Sequence, residues 1–266
     1  MPETITYERA DRVARIMLNR PERMNAISPL LQRELDRAFV EAERDDAVNV
    51  ILLSGAGRGF CAGYDLAGSG DSAAIRDVAA DRDRLERMIG RFLRIWETRI
   101  PVIAKVHGAC LAGGSMLAVS SDVTIAAEDA RVGTPQIPLG AGFLGPLWAW
   151  HVGPKKAKEL IFPTGTIISG AEAARIGLFN VAVPAAELDE YVEEYAQRVA
   201  RTPREILVLE KRAINRSQEI QGFREAFLLS AEYDALAHAT DAVHQTKQQI
   251  QQEGLKSALA AWTSAQ

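Results

Sequence analysis

The sequence has little of what marks several classes of protein. Cysteine occurs only twice in 266 residues, as Cys61 and Cys110, which is too few for a disulfide framework and is typical of a reducing compartment. No apolar run approaches the ~18 residues that a membrane-spanning helix needs. The N-terminus lacks the basic and apolar segments of a signal peptide. These absences predict a cytoplasmic protein without a membrane partner.

A surplus of positive charge and a metal-binding pattern are missing as well. Lys and Arg number 31 against 35 Asp and Glu, for a net charge of −4, which disfavours a nucleic-acid partner because phosphate binding needs a basic face. Residues 140–145 match G-x-G-x-x-G, but Pro135 and Pro138 stand where a dinucleotide site needs a strand. No metal site is expected, because metal-ligand spacing is absent among His107, His151, His238 and His244.

What is present is an alternation of strands and helices. Short apolar runs predict strands at residues 4–8, 13–18, 48–53, 102–106, 122–127 and 178–183. Apolar residues at helical spacing predict one helix that begins at Ser28 and Pro29, and a second that lies between Asp71 and Pro101. The chain is therefore of the α/β class.

The remainder of the chain is dominated by helical patterns. Capping boxes at 169–172 and 202–205 predict two further helix starts, whereas the Gly- and Pro-rich residues 133–146 predict an irregular loop. We therefore divide the chain into an α/β core, residues 1–200, and a C-terminal helical region, residues 201–266.

Two of the buried strands lead into similar glycine-rich turns. One turn contains Ala62 and Gly63, and the other contains Ala112, Gly113 and Gly114. Ligands of open α/β sheets bind beyond the carboxyl ends of the strands, and two amide N–H groups aimed at one point there can stabilise an oxygen that gains negative charge. The alternative is that these small residues only allow tight packing.

Three segments carry a resemblance to a known family. They are LNRPERMNA at 18–26, LSGAGRGFCAGYDL at 53–66 and PVIAKVHGACLAGG at 101–114. Together with Asp122 and the segments 153–160 and 177–183, which follow in the same order, they resemble the enoyl-CoA hydratase/isomerase (crotonase) superfamily. The resemblance extends over nearly the whole chain.

The resemblance implies a fold, a ligand and a site. The fold would be a ClpP/crotonase-like spiral of ββα turns with a C-terminal helical trimerisation region, assembled as a homotrimer or hexamer. The ligand would be an acyl-CoA thioester, so coenzyme A is part of the substrate and no other cofactor is implied. The thioester oxygen would lie between the N–H groups of Ala62 and Gly113. Substrate contacts would also come from Arg23, Met24, Gly63, Tyr64 and Asp65.

The sequence departs from the hydratase pattern at the acid/base positions. The two hydratase glutamates correspond to Met116 and Gln136, and a carboxylate of the dienoyl isomerases corresponds to Leu144. None of these side chains exchanges a proton at neutral pH. We therefore expect slow hydration, and isomerisation, carbon–carbon bond hydrolysis, decarboxylation or hydration by an atypical base stay open. The alternative is an acyl-CoA-binding protein without catalysis.

Four nearby side chains are candidates for the missing acid or base. They are Tyr64, Asp65, Asp71 and His107. Each has a structural alternative: ring packing for Tyr64, loop hydrogen bonds for Asp65, a helix cap for Asp71, and a structural hydrogen bond at the end of a strand for His107.

Overall fold

Nine strands form two sheets in the part of the chain that the computed structural model describes, residues 2–65, 77–134, 139–140, 144–254 and 257. The strands are β1 (Ile5–Ala10), β2 (Val13–Leu18), β3 (Val50–Gly55), β4 (Val102–Val106), β5 (Ala109–Leu111), β6 (Val123–Ala127), β7 (Arg131–Gly133), β8 (Ile167–Ser169) and β9 (Val181–Val183). The large sheet has the order β1-β2-β3-β4-β6-β9 and is parallel except for the β1–β2 hairpin. The small sheet has the order β5-β7-β8.

The helices cover the sheets and form the C-terminal region. They are α1 (Pro29–Arg44), α2 (Val78–Glu97), α3 (Gly113–Val119), α4 (Leu144–Ile161), α5 (Gly170–Arg175), α6 (Leu188–Ala200), α7 (Arg204–Ile220), α8 (Phe223–His238) and α9 (Asp241–Glu253). Helix α4 is broken at Gly153, whose φ of 78° is not helical. Within the described ranges, no helix has both the length and the apolar character needed to cross a membrane.

Successive segments repeat one pattern of two strands and a helix. Strand β4 joins the large sheet, β5 joins the small one, and α3 follows; β6, β7 and α4 repeat this order. Isolated bridges pair Gly59 with Gly108 and Cys61 with Cys110, so the residues after β3 run beside the small sheet. The repetition places the ends of β3 and β4 side by side.

The core is continuous around the large sheet. Strand β3 is buried along almost its whole length, because α1 contacts the sheet at β1 and β2 while α6 contacts β2, β3, β4 and β6. Burial of both faces explains why this strand is a run of apolar residues and not an alternating pattern. Helix α1 starts where Ser28 accepts a hydrogen bond from the Leu31 amide at 3.1 Å, with proline at its first position.

A buried ion pair attaches the C-terminal helices to the core. Lys211 of α7 is 7% exposed and lies 2.6 Å from Asp122, which stands at the start of β6. The same ammonium donates to the carbonyl oxygen of Ile100 at 3.2 Å. Burial lowers the pKa of Lys211 and raises that of Asp122, although each charge opposes the shift of the other.

Most of the secondary structure that the sequence predicts is confirmed, with four corrections. Strands β5, β7 and β8 were not predicted, and β7 ends in, and α4 begins in, the stretch expected to be an irregular loop. The last strand spans only Val181–Val183. The predicted capping box at 202–205 does not form: α7 begins after Pro203, and no side chain caps it. Ser169 does cap α5, accepting from Glu172 N at 3.0 Å.

The predicted division of the chain falls between two helices. Helix α6 ends at Ala200 and α7 begins at Arg204. The second helix, expected to begin after Asp71, is α2, which begins at Val78. The Asp77 carboxylate caps it by accepting from Ala80 N at 3.0 Å, and residues 66–76 lie outside the described residues. The boundary between 1–200 and 201–266 stays a prediction.

Candidate functional site

The two glycine-rich turns lie in direct contact. Cys61 donates its amide to the carbonyl of Ala109, and Leu111 donates its amide to the carbonyl of Cys61, each at 2.9 Å. A Cβ added to Gly114 would be 2.2 Å from the Cys61 oxygen. Only a glycine fits there, because real Cβ atoms do not approach a carbonyl oxygen so closely. These contacts hold the two turns side by side.

The amide of Ala62 is already occupied. It donates to the carbonyl oxygen of Met24 at 2.9 Å. A hydrogen bond inside the protein removes this N–H from the set of donors that a ligand can use. The interpretation that Ala62 supplies an oxyanion-hole donor is wrong for this arrangement.

The amide of Tyr64, two residues after Ala62, is available to a ligand. Ile27 forms a parallel bridge with Tyr64, donating to Gly63 O at 2.7 Å and accepting from Asp65 N at 3.1 Å. In such a bridge the N–H of the central residue, here Tyr64, points away from its partner. Among the described residues the Tyr64 amide has no acceptor. The loop therefore offers one outward-facing donor at position 64.

Gly113 supplies a second open donor beside the first. It is the first residue of α3, whose initial N–H groups have no partner within the helix, and no acceptor for its amide occurs elsewhere in the described ranges. A Cβ built on Gly113 would lie 3.2 Å from the ring of Tyr64 and 3.0 Å from Ile27 Cδ1. Residues 64 and 113 are thus in contact, and a glycine is needed at 113 for them to approach.

A buried asparagine that the sequence analysis missed organises this loop. Asn25 is fully buried, and its amide nitrogen donates to the carbonyls of Ala56 and Gly59 at 2.8 Å. Its side-chain oxygen accepts from Arg20 N at 2.9 Å. Met24 and Asn25 both adopt positive φ angles, 51° and 56°, which asparagine tolerates better than most residues. The available signal was the Met-Asn pair inside the family-like segment 18–26.

Comparison with known proteins agrees with this geometry. Residues 8–257 match the profile of the family described as Enoyl-CoA hydratase/isomerase. The chain belongs to the enoyl-CoA hydratase/isomerase family. The short-chain-enoyl-CoA hydratase of Clostridium acetobutylicum is 33% identical over 248 residues, covering 87% of this chain and 92% of that protein. The hydroxycinnamoyl-CoA hydratase-lyase of Pseudomonas fluorescens is 32% identical over 241 residues, covering 87% and 85%.

Solved structures of the enoyl-CoA hydratase/isomerase family share the fold. An enoyl-CoA hydratase from Mycobacterium smegmatis is 35% identical and superposes with a TM-score of 0.90, covering 99% of this chain and 94% of that one. The crotonase fold inferred from the sequence is confirmed, and the chain is a member of a family of enzymes.

The acid/base positions of this family member hold no titratable group in the described part of the chain. Met116 is 2% exposed within α3. Gln136 and Asp71 lie outside the described residues, as does the side chain of Leu144. His107 has its Nε2 2.8 Å from the carbonyl oxygen of Gly57, which is the structural role expected as its alternative. No group of three or more metal-ligating side chains occurs in the described ranges.

The remaining candidates are held in structural contacts or are uncharged. Asp65 accepts from the guanidinium of Arg20 at 2.8 Å and has a further interaction. Burial raises the pKa of Tyr64, so its hydroxyl stays protonated at neutral pH. Burial also raises the pKa of Cys61 to about 12 and that of Cys110 well above its usual value. Neither cysteine is therefore a thiolate at neutral pH.

A pocket with a largely apolar lining adjoins Tyr64. It lies between α1, α2 and α3, and the ring of Tyr64 forms part of its wall, packed edge to face on Phe92 with centroids 6.4 Å apart. The apolar lining consists of Ile27, Leu31, Leu35, Phe39, Phe92, Ile95 and Leu117. The hydroxyl of Tyr64 is buried and has no hydrogen-bond partner among the described residues.

The residues predicted to contact coenzyme A lie near the hydrogen bond between Ala62 N and Met24 O. Arg23 ends a short 3-10 turn, residues 21–23, and is exposed, whereas Met24 is half-buried. Gly63 has a φ of 100° and passes so close to Ala112 that an added Cβ would lie 2.9 Å from the Ala112 Cβ. These residues border the same loop as the two open amides.

Proposed function

We propose that this chain binds an acyl-CoA thioester and holds its carbonyl oxygen between the N–H groups of Tyr64 and Gly113. The observation that carries the proposal is that these two adjoining amides have no acceptor in the described part of the chain. A thioester carbonyl that becomes an enolate gains negative charge on oxygen, and each well-placed donor lowers the barrier by ~3–4 kcal/mol. The site then favours the enolate over the bound thioester.

The coenzyme A part of the substrate would pass along the loop of Ala62, Gly63 and Asp65. Met24 lies next to this loop through its hydrogen bond with Ala62, and the exposed guanidinium of Arg23 is available to a phosphate group. No cofactor besides the coenzyme A of the substrate is proposed.

The reaction that we propose is enolate chemistry other than rapid hydration of a short enoyl-CoA. Met116 offers no proton to a water molecule, and Gln136 cannot titrate. The relatives named above are a short-chain-enoyl-CoA hydratase and a hydroxycinnamoyl-CoA hydratase-lyase, so an acyl group with a double bond or a substituent at the β-carbon is the proposed substrate class. Isomerisation, carbon–carbon bond hydrolysis, decarboxylation and hydration by an atypical base remain the candidate reactions.

One observation favours a second candidate, a binding protein without catalysis. The side chains nearest to a Cβ built on Gly113 are those of Ile27 and Tyr64, and neither exchanges a proton near neutral pH. A retained pair of donors without a proton acceptor would hold an acyl-CoA and leave it unchanged.

A panel of acyl-CoA thioesters in deuterated buffer tests both candidates. An enzyme that forms the enolate is expected to convert at least one thioester or to exchange its α-hydrogen for deuterium, followed by mass spectrometry. Tight binding with neither conversion nor exchange would support the binding protein. Absence of binding across the panel, measured by calorimetry, would contradict both.

Restoring a carboxylate should create hydration. We expect the Met116→Glu, Gln136→Glu double variant to hydrate crotonyl-CoA at least ~10²-fold faster than the unmodified protein, because each acid/base group contributes ~10²–10⁴-fold. Loss of absorbance of the conjugated thioester measures the rate. The matched control, Met116→Gln with Gln136 retained, has a similar shape without a titrating group and should show no gain.

We also propose that the chain assembles as a homotrimer or a hexamer and works in the cytoplasm. The assembly is supported by apolar side chains that α7 and α8 expose to solvent in the single chain. They are Ile206, Leu209, Ile214, Ile220, Leu229 and Leu236. An exposed set of this size is typical of a protein–protein interface.

A further inference from the structure

The side chain of Tyr64 ends in a polar atom for which the protein supplies no partner. Its hydroxyl is buried and makes no hydrogen bond in the part of the chain that the structure describes, while its ring packs edge to face on Phe92. A buried hydroxyl without a partner lowers the stability of a protein. A phenylalanine would fill the same space without that loss, so packing alone does not account for a tyrosine at this position.

The Tyr64 side chain borders both the proposed oxygen site and the pocket between α1, α2 and α3. A Cβ built on Gly113 would lie 3.2 Å from the Tyr64 ring and 3.0 Å from Ile27 Cδ1, and the same two side chains line the pocket. They thus connect the Gly113 backbone with the pocket. An acyl group whose thioester oxygen lies between the amides of residues 64 and 113 starts beside the Tyr64 ring.

The pocket has room for one small group in largely apolar surroundings. Its volume is about 20 Å³, and ~10–15 Å³ is enough for a single water-sized group. Three polar side chains of the lining contact each other: Gln32 accepts from Arg91, and Arg91 Nε lies 3.8 Å from Asp36. The side chains of Arg91 and Asp36 are more than a third exposed, so they face solvent, whereas the hydroxyl of Tyr64 is buried.

The chemistry of the surroundings favours a hydrogen-bond acceptor as the partner of this hydroxyl. Burial raises the pKa of Tyr64, so the hydroxyl keeps its proton at neutral pH and can donate it. The charged residues that line the pocket in the described part of the chain are Arg91, Arg94 and Asp36. Two positive charges against one negative charge attract an oxygen with partial negative charge.

We propose that the hydroxyl of Tyr64 donates a hydrogen bond to a carbonyl oxygen that the acyl group carries beyond the thioester. The inference rests on the proposed acyl-CoA function and specifies its substrate class as oxo-acyl groups. Tyr64 would then contact the substrate twice, through its amide at the thioester oxygen and through its hydroxyl at the second oxygen. Phe92 is a positioning residue, since it acts through the ring of Tyr64.

This arrangement explains why an unsubstituted acyl chain should bind less well. A methylene group placed against the hydroxyl leaves it without a partner, whereas a carbonyl oxygen satisfies it. Sites built to hydrogen-bond a substrate reject the analogue that lacks the bonding group more strongly than apolar pockets reject an added one. The apolar lining of the pocket would contact the carbon atoms next to the second carbonyl.

Matched pairs of saturated thioesters test the proposal. The pairs are pentanoyl-CoA with 4-oxopentanoyl-CoA, hexanoyl-CoA with 5-oxohexanoyl-CoA, and heptanoyl-CoA with 6-oxoheptanoyl-CoA, which place the second oxygen at successive distances from the thioester. In calorimetric titrations of the full-length protein, we expect the oxo member of at least one pair to bind ~10-fold more tightly, as one hydrogen bond of about 1.4 kcal/mol provides. A preference below ~2-fold in every pair overturns the proposal.

Tyr64→Phe separates recognition from a structural role, because it removes the hydroxyl and retains the ring and the amide. The preference for the oxo member should fall to ~1. The midpoint of thermal unfolding without ligand should rise by ~2–4 °C, since an unpartnered buried hydroxyl is lost. A preference that survives Tyr64→Phe contradicts the proposal. A lower midpoint contradicts it as well, because the hydroxyl would then already be bonded within the protein.

Tyr7 provides the matched control. Its hydroxyl, on β1, is also buried without a partner in the described ranges, and Tyr7 does not line the pocket. Tyr7→Phe should therefore raise the unfolding midpoint in the same way and retain the full preference for the oxo-acyl thioester. Loss of the preference in Tyr7→Phe would show that the effect does not depend on the position of Tyr64.

Infrared spectra of a bound thioester with ¹³C at the second carbonyl report the hydrogen bond directly. The stretching frequency of that carbonyl should be lower on the unmodified protein than on Tyr64→Phe. Equal frequencies on the two proteins contradict the proposal.

The same titrations distinguish failure of this inference from failure of the proposed function. If plain and oxo-acyl thioesters bind equally, acyl-CoA binding stands and only the role of the Tyr64 hydroxyl is lost. If no thioester binds, the proposed function falls and this inference falls with it.

Discussion

Replacing Gly113 with alanine is expected to lower the rate of acyl-CoA turnover, or of α-hydrogen exchange, by ~10²–10³-fold, the effect of losing one oxyanion donor. The added methyl group would lie 3.0 Å from Ile27 Cδ1 and 3.2 Å from the Tyr64 ring. Such contacts push residues 64 and 113 apart and misdirect both amides. Steady-state kinetics on the best thioester of the panel measures the loss, which should appear mainly in kcat.

A second glycine provides the control for this substitution. Gly90 lies on the exposed side of α2 and has no atom within 4 Å of the position of an added Cβ. Gly90→Ala should leave turnover unchanged and stabilise the protein by ~0.4–1 kcal/mol, because alanine loses less backbone entropy on folding into a helix. Turnover by Gly113→Ala within 3-fold of the unmodified protein would exclude the Gly113 amide as a donor.

Removing the buried ammonium of α7 should destabilise the whole fold. Lys211→Met leaves Asp122 without its cation, and breaking a buried ion pair on one side typically costs ~3–5 kcal/mol. The loss should depend on pH. Asp122 already has a raised pKa, and without Lys211 that pKa rises further. A carboxyl group with a raised folded-state pKa contributes stability below its unfolded pKa and loses it as the pH rises through the folded value.

The loss of unfolding free energy in Lys211→Met should therefore be smallest at acid pH and grow toward neutral pH. Urea unfolding at several pH values measures it. Val102 N donates to Asp122 at 2.6 Å in the unmodified protein. Adding Asp122→Asn to Lys211→Met removes the unpaired charge and retains an acceptor for this amide. The double variant should recover at least half of the lost stability. A deficit that is independent of pH and unaffected by Asp122→Asn would show that lost packing, not charge, is responsible.

The longer elements were predictable because their signals are local. Strand β2 has the predicted boundaries and helix α1 the predicted start, because the apolar pattern of β2 and the Ser28-Pro29 cap of α1 each lie within a few adjacent residues. Strands β5, β7 and β8 have only three residues each, too few to show a period. Their existence depends on pairing between distant segments, such as Arg131 with Ser169, which a single sequence does not reveal.

In the candidate site, too, the sequence alone does not show which backbone groups hydrogen-bond to each other. Gly113 stays a predicted donor, whereas the amide of Ala62, the other donor that the resemblance implies, is occupied by the Met24 carbonyl, and the proposed donor lies two residues further along the chain. Gly63, at a φ of 100°, turns the chain between Ala62 and Tyr64, so their amides face different partners, and the sequence does not tell which one Met24 occupies. The hydrogen bond between His238 and Asp81 was not predictable either, because the two residues lie 157 positions apart in the chain.

The hydrogen bonds around Asn25 and Ala62 have a consequence for how this protein could evolve new substrates. The backbone that would receive the thioester is tied on one side by the Asn25 amide and on the other by the Met24 carbonyl, so its dipoles are arranged when the chain folds, before any ligand arrives. Selection for a different acyl group therefore has little freedom at this loop, and adaptive changes should accumulate in the side chains that line the pocket beside Tyr64 instead.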